Sequence, residues 1–242
     1  MGGRAAAERP AGVYVHVPFC ARRCPYCDFD IAVGRTPSAA PFFAALAREI
    51  AERSTELPRE RASTLYVGGG TPSLLGPGGL AQLHALLRPA LADTLAEATI
   101  ELNPEDVDDE LVAAIVALGF DRVSLGVQTF APRGLAQLGR LHVAARARVA
   151  IDRCVAAGLR TSIDLIVGWP GQGDAELDDD VAIALAAGVE HVSVYALTIE
   201  AGTPWPKLVR RGLRVLPDDD RQAELLVRAE ARLVGAGLEH YE

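Results

Sequence analysis

Short runs rich in Val, Ile and Leu alternate with longer helical stretches along this chain, and that alternation restricts the fold more than any other feature. The strand candidates are Gly12–Val17, Thr64–Val67, Ala98–Leu102, Arg122–Gly126, Thr161–Val167 and His191–Tyr195. Their composition reads as strands buried on both faces. Helical stretches lie at Pro41–Ala51, Gly79–Leu91, Asp108–Leu118, Ala144–Ala157, Ala175–Ala187 and Asp218–Val234. Ala157-Gly158, Ala187-Gly188 and Ala236-Gly237 read as helix C-caps, where glycine takes positive φ without steric cost. Asn103-Pro104-Glu105-Asp106 and Pro217-Asp218 read as helix starts. Six β-then-α units predict an α/β fold with a parallel sheet and right-handed crossovers. The expectation is a partial (β/α)6 barrel of the TIM type, two units short of closure, with one side open to a large ligand. Residues 1–11 are expected to be a lead-in, and 12–242 one domain. Leu238-Glu239-His240-Tyr241-Glu242 reads as the entry to a further strand, so a C-terminal portion is expected beyond it.

Composition narrows the partners. A chain of 242 residues, 50% hydrophobic, can bury one substantial core. The formal net charge of −8 implies no basic face, so nucleic acid is not an expected partner. Met1 to Pro10 lacks the apolar core of a secretory signal, and Ala6 stands where a myristoylation signal needs Ser or Thr. No uninterrupted apolar run is long enough to span a membrane, and a cytoplasmic location is expected. Of four cysteines, three fall within eight residues, which points to metal or redox chemistry and not to disulfides.

Those three are Cys20, Cys24 and Cys27, in a C-x₃-C-x₂-C spacing directly after the first strand. In a parallel α/β fold that loop lies at the catalytic end of the sheet. Three thiolates from one loop can hold three irons of a [4Fe-4S] cubane and leave the fourth open to a chelating molecule. The alternative is zinc on the three thiols with His16 as a fourth donor. Zinc sites usually draw paired ligands from two places, and no second pair exists here. Cys154 sits in an apolar helical run and reads as an inert buried thiol. The other distinctive residues fall at strand ends, where barrel active sites form. Gly68-Gly69-Gly70-Thr71 follows the second strand, Glu101 ends the third, Gln128 ends the fourth, and Asp164 lies among Ile163, Leu165 and Ile166. A carboxylate in so apolar a strand needs a partner, either a nearby Arg, a backbone cap or a ligand.

The cysteine spacing resembles the signature of the radical S-adenosylmethionine superfamily. The words Tyr14-Val15-His16-Val17-Pro18-Phe19-Cys20, Gly68-Gly69-Gly70-Thr71-Pro72-Ser73, Gly126-Val127-Gln128-Thr129-Phe130, Leu138-Gly139-Arg140-Leu141-His142, Asp164 to Gln172 and Tyr195 to Glu200 narrow it. They look like the oxygen-independent coproporphyrinogen III oxidases and their haem-chaperone relatives, in order, from about Val13 to Glu242. The resemblance implies a [4Fe-4S] cluster on Cys20, Cys24 and Cys27, and S-adenosylmethionine chelating its open iron. It implies that Gly69, Gly70 and Thr71 contact the methionyl part. Glu101, Gln128 and Asp164 would bind ribose and amino groups, with Arg140 near the carboxylate. Tyr14, Tyr26 and Ala196 would contact methionine or adenine, though apolar packing explains these three nearly as well. An electron passed through the cluster would then break the cofactor's C5′–S bond.

Two departures bear on function. The oxidases carry a further cysteine two residues after the third, and here that place is Phe29, which favours the chaperone branch: haem binding and delivery. The family also continues past residues 240–242 into a C-terminal domain that helps close the site. The alternatives are a radical enzyme acting on a tetrapyrrole, a methyl-transferring relative, and a metal-stabilised fragment without activity. The implied partners are haem or another tetrapyrrole and an electron donor. A haem-acceptor protein and contact with a membrane surface stay compatible with the reading. His16, His84, His142, His191 and His240 are all candidate haem ligands.

Overall fold

The computed structural model describes residues 12–34, 38–53 and 61–241. The lead-in at 1–11 and Glu242 lie outside the described residues. In chain order the strands are β1 (Gly12–Val17), β2 (Phe19–Cys20), β3 (Ala32–Val33), β4 (Thr64–Gly69), β5 (Glu97–Leu102), β6 (Arg122–Gln128), β7 (Arg160–Val167) and β8 (His191–Ala196). The helices are α1 (Ala40–Arg53), α2 (Gly76–Leu87), α3 (Asp109–Ala117), α4 (Pro132–Leu138), α5 (Ala144–Ala156), α6 (Asp174–Ala186), α7 (Trp205–Arg210) and α8 (Asp219–Gly235). Six strands form one parallel sheet in the order β1-β4-β5-β6-β7-β8. That order never reverses, so the sheet winds one way, as a barrel does, and has no switch point of the doubly wound kind. β1 and β8 do not pair with each other, so the barrel stays open. β2 and β3 make a separate two-stranded ribbon.

The expected burial on both strand faces holds at the centre of the sheet, where Thr99, Ser124 and Ser162 are buried, and fails at its edges, where Tyr14 and Tyr195 are exposed. Its register aligns Tyr14, Tyr66 and Thr99 across β1, β4 and β5, and Glu101, Ser124 and Ser162 across β5, β6 and β7. Asp164 sits beside Ser193 across β7 and β8. This face is mostly polar. The alternate residues are apolar and pack under the helices in the main core, among them Val15, Val17, Leu65, Val67, Ile100, Val123, Leu125, Ile163 and Leu165. Alternation therefore holds, with one face in the core and the other lining the open lumen. The hydrophobic runs masked it because Ile166, Gly68 and Gly126 dilute the polar row.

Helix boundaries follow local chemistry. Asp108 caps α3 by accepting a hydrogen bond from Leu111 N at 2.8 Å, and Asp218 caps α8 in the same way from Arg221 N at 2.8 Å. Gly158, Gly188 and Gly237 take positive φ after α5, α6 and α8, as the C-cap reading requires. The stretch expected to run to Leu91 stops at Leu87 and passes into a 3₁₀ turn at Arg88–Ala90, because Pro89 has no N–H to continue the helix. Asn103-Pro104 opens only a 3₁₀ turn over Pro104–Asp106. Two short helices, α4 and α7, had no periodic signal to announce them. α4 carries Gly134 mid-helix, and both begin at proline-rich sequence.

Truncating the central strand should cost far more than truncating an outer helix position. Ile100 is fully buried, so Ile100→Ala should destabilise the fold by about 2–5 kcal/mol in urea unfolding. Val116 is exposed on α3, and Val116→Ala should stay within about 0.5 kcal/mol of the unaltered chain.

Candidate cofactor-binding site

The loop that carries the three cysteines leaves β1 and is pinned at both ends. Ala32 N donates to Pro18 O at 2.7 Å and Gly34 N donates to Cys20 O at 2.8 Å, which closes the ribbon beneath it. Cys27 N donates to Cys24 O at 3.1 Å, and the Arg23 guanidinium donates to the carbonyls of Cys27 and Phe29. The loop rests directly on the end of β4. Gly70 N donates to Val17 O at 2.7 Å, and a Cβ at Gly70 would stand 2.6 Å from Phe19 O. Only glycine fits there. Gly69 has φ +104, and a Cβ on it would strike the His16 ring.

The three thiols border a cavity of about 420 Å³ at the C-terminal end of the sheet. Of the site residues expected from sequence, Tyr26, Gly69, Gly70, Thr71, Glu101, Gln128, Arg140, Asp164 and Ala196 line it with Cys20, Cys24 and Cys27. Tyr14 does not. It lies lower on the polar face, 59% exposed, stacked on Tyr66 with ring centroids 5.8 Å apart. Glu101 is held by Tyr66 Oη at 2.7 Å and Gly69 N at 3.0 Å, so both carboxylate oxygens are engaged.

A closed polar circuit joins two of the sulfurs. Thr71 Oγ1 donates to Cys20 Sγ at 3.5 Å, and Asn103 Nδ2 donates to Thr71 Oγ1 at 3.0 Å. Asn103 Oδ1 accepts from Arg140 Nη2 at 2.6 Å, and Arg140 Nη1 reaches Cys24 Sγ at 3.7 Å. Arg140 Nη2 also donates to Gly126 O at 2.7 Å. Asn103, which closes this circuit, was not among the expected site residues. Its signal was the Asn-Pro pair at a strand end, which read as a helix start.

Electrostatics separate the groups. Burial pushes the Cys20 and Cys27 thiols above their ordinary range, against hydrogen bonds from Thr71 and from the Phe29 backbone. Burial works against the charge on Arg140, but Tyr26, Cys24 and Glu105 outweigh it and hold the guanidinium charged. Asp164 is lifted to about 6, first by burial and then by the charge on Glu101, with the hydroxyls of Ser193 and Ser124 pulling it back. Its partners are thus hydroxyls, Ser124 Oγ at 3.3 Å among them, and not an arginine.

The histidines divide differently from the expectation. None of the five lines the cavity. His16 Nε2 bonds Asp30 O at 2.9 Å. His142 is buried, with Nδ1 3.2 Å from Glu105 Oε2 and Nε2 3.2 Å from Val127 O. His191 lies between Ser162 Oγ and Tyr241 Oη, and His240 bonds Glu230. His84 sits on α2, where burial and Arg88 lower its pKa.

The donor set suits a cluster. Three soft thiols from one loop share a cavity, and hydrogen-bond donors already approach two of them. The buried Nε of Arg140 has no hydrogen-bond partner in the protein. Among the described residues no three His, Cys, Asp or Glu side chains converge on a single ion, and His16 does not line the cavity that the three thiols border.

Comparison with known proteins agrees with this chemistry. The family model of the radical SAM superfamily matches residues 14–184. The chain is 44% identical to the haem chaperone HemW of Mycobacterium tuberculosis over 242 residues, covering 97% of this chain and 61% of that protein. It is 34% identical to HemW of Escherichia coli, covering 96% of this chain and 61% of the relative. Among solved structures, the coproporphyrinogen III oxidase HemN of Escherichia coli, described as a radical SAM enzyme, superposes with a TM-score of 0.82 at 28% identity. That match covers 95% of this chain and 54% of the oxidase. The chain therefore spans about 61% of the length of these curated relatives.

Asp164 gives a pH-dependent test. Its folded-state pKa is raised, so its contribution favours folding at low pH and is lost as pH rises through about 6. Asp164→Asn removes that loss. In the absence of cofactors the variant should be the more stable at pH 8, by up to about 3 kcal/mol, and the gap should close toward pH 4. Thermal or denaturant unfolding across that range measures it, and a wild-type chain more stable at pH 8 would show a paired carboxylate instead.

Proposed function

The chain belongs to the radical SAM superfamily, and from that premise we propose that it is the core of a haem chaperone whose iron–sulfur cluster and S-adenosylmethionine share the cavity at the sheet's C-terminal end. Membership implies a [4Fe-4S] cluster and S-adenosylmethionine. Cys20, Cys24 and Cys27 would hold the first, and the strand-end residues would hold the second. When bound, a cluster with one iron free of protein ligands supplies a chelation site and an electron.

The chain's own residues would act by position and charge. Gly69 and Gly70 present bare backbone to the methionyl part, with Thr71 beside them. Glu101, already oriented by Tyr66 and Gly69, and Asp164, ionised above about pH 6, face a ligand's hydroxyl and amino donors. Arg140 offers its unpaired Nε–H to an acceptor such as a carboxylate. Tyr26, packed with Leu138, Ile166, Trp169, Leu197 and Trp205, walls off water on that side.

The observation that carries the chaperone reading over the oxidase reading is Phe29. It lines the cavity at 56% exposure, in the place where the resembling oxidases have a further thiol. With Leu141 and Tyr195 it gives the cavity mouth an exposed apolar rim that suits a large flat ligand. The HemW relatives are named as haem chaperones, which supports the same choice. HemN, the structural relative, supports the alternative, an oxidase acting on a tetrapyrrole. Among the described residues no helix is long and apolar enough to cross a membrane.

Anaerobic reconstitution should load about four irons per chain. Alanine at Cys20, Cys24 or Cys27 should abolish uptake, whereas Cys154→Ala, deep in the helical side of the core, should not. One zinc per chain without iron would overturn the cluster assignment.

A chain extended to the length of its relatives should bind haem, read as a Soret shift on titration. Supplied with S-adenosylmethionine and a reductant, it should leave coproporphyrinogen III unchanged. Catalytic appearance of protoporphyrinogen would restore the oxidase reading.

A further inference from the structure

Gln128 is the only non-glycine residue with positive φ among those described, at 69°. The turn is closed across it, with Thr129 N donating to Val127 O at 2.9 Å, and the register between β6 and β7 slips at the same point. A three-residue turn with this φ is rare and strained, and it persists only where its surroundings over-determine it. The surroundings here do so from two sides. Val127 O also meets His142 Nε2 at 3.2 Å. Beyond the turn, Asp180 Oδ2 accepts from Thr129 Oγ1 at 2.7 Å, and Asp180 Oδ1 accepts from Phe130 N at 2.6 Å. Asp180, Thr129 and Phe130 are all buried, so no water competes for these groups.

Asp180 stands on α6, outside the cavity lining. It is the third of three consecutive aspartates, and the first two read as an ordinary charged helix face. The third differs: with Leu177, Val181 and Ala184 it falls on the buried stripe of α6. Burial lifts its carboxyl to about 6, against the hydrogen bonds from Thr129 and Phe130. At neutral pH the fold thus keeps an ionised carboxylate in its interior, and its two hydrogen bonds are spent on the residues immediately after Gln128. The Gln128 side chain meanwhile faces the cavity, with its Nε2 3.1 Å from where a Cβ on Gly126 would stand, so glycine at 126 leaves room for it.

We propose that Asp180 is a positioning residue that clamps the strained turn at Gln128 and so fixes the Gln128 amide where the cofactor binds. The clamp rests on geometry alone; its use rests on the reading of the cavity as the S-adenosylmethionine site.

Two double-mutant cycles separate the clamp from its use. The first needs no cofactor. Glycine adopts φ near +69 freely, so Gln128→Gly should raise the Tm of the unaltered chain by roughly 2 °C. In an Asp180→Asn background the turn can relax, and that gain should disappear. An undiminished gain would overturn the clamp. The second cycle measures S-adenosylmethionine affinity of the cluster-loaded protein by calorimetry, with iron content as the control. Asp180→Asn should weaken binding roughly tenfold, as loss of an outer-shell support does, at unchanged iron. In a Gln128→Ala background it should weaken binding no further. Full additivity would make Asp180 a general structural residue and overturn the proposal. If Gln128→Ala alone leaves affinity unchanged, the cofactor reading of Gln128 falls, and the use assigned to the clamp falls with it; the first cycle still reports on the clamp.

Discussion

A guanidinium held half-buried in a cavity wall cannot be left bare, and the charge of Arg140 sets the terms for the rest of the site. Its fork must find acceptors, and it finds them on three separate pieces of chain: Asn103 at the end of β5, the Gly126 carbonyl in β6, and the Cys24 sulfur in the loop after β1. Losing one hydrogen bond to such a charged group typically costs about 1.5–3 kcal/mol. The cysteine loop has one apolar anchor, Tyr26, while Cys20, Cys24 and Cys27 are all half-buried. It takes its place from this charge, from the ribbon to Ala32–Val33 and from the close seat on Gly70. The strand ends are then tied to the sulfur loop through side chains and not through the sheet ladder alone.

Much of the architecture was legible because hydrophobic runs and glycine caps are local signals. The six parallel strands, their order and the starts of α3 and α8 follow from residues within a few positions of one another. The site residues were legible for a different reason. Gly69, Gly70, Glu101, Gln128 and Ala196 stand at or beside strand tips, and a singly wound sheet brings such tips to one end. What stayed hidden was set by contacts between distant segments. Asn103 joins Thr71 to Arg140 across more than thirty residues in each direction, and its Asn-Pro context suggested only a helix cap. Asp180 is the last of three consecutive aspartates, and nothing local distinguishes it from the other two. Tyr14 stood in a motif beside the cysteines, yet the strand period turns it down the lumen wall toward Tyr66. His142 was one of five candidate haem ligands, and both its nitrogens are engaged on Glu105 and Val127. Sequence spacing gives the tip a residue occupies; it does not give the partner that awaits it.

The central strands are buried on both faces, but the inner face is mostly polar. In Thr161–Val167 the lumen row admits Ile166 as well as Ser162 and Asp164. A barrel that is filled would need large branched side chains on that row. This one carries hydroxyls, carboxylates and tyrosines there, so the lumen is furnished for solvent or ligand and the packing that holds the fold lies on the other side of the sheet.

That two-sided sheet has a consequence for descent. Every strand offers one face to the helices and one to the lumen, and the two faces alternate residue by residue. A substitution on the lumen row can alter what is recognised without touching the hydrophobic packing, and a substitution beneath a helix can be absorbed without moving a recognised group. Selection can therefore act on the two rows almost independently. A lineage built on such a sheet can drift in its outer packing while its recognition stays fixed, or exchange one strand tip at a time and keep a folded protein at every step.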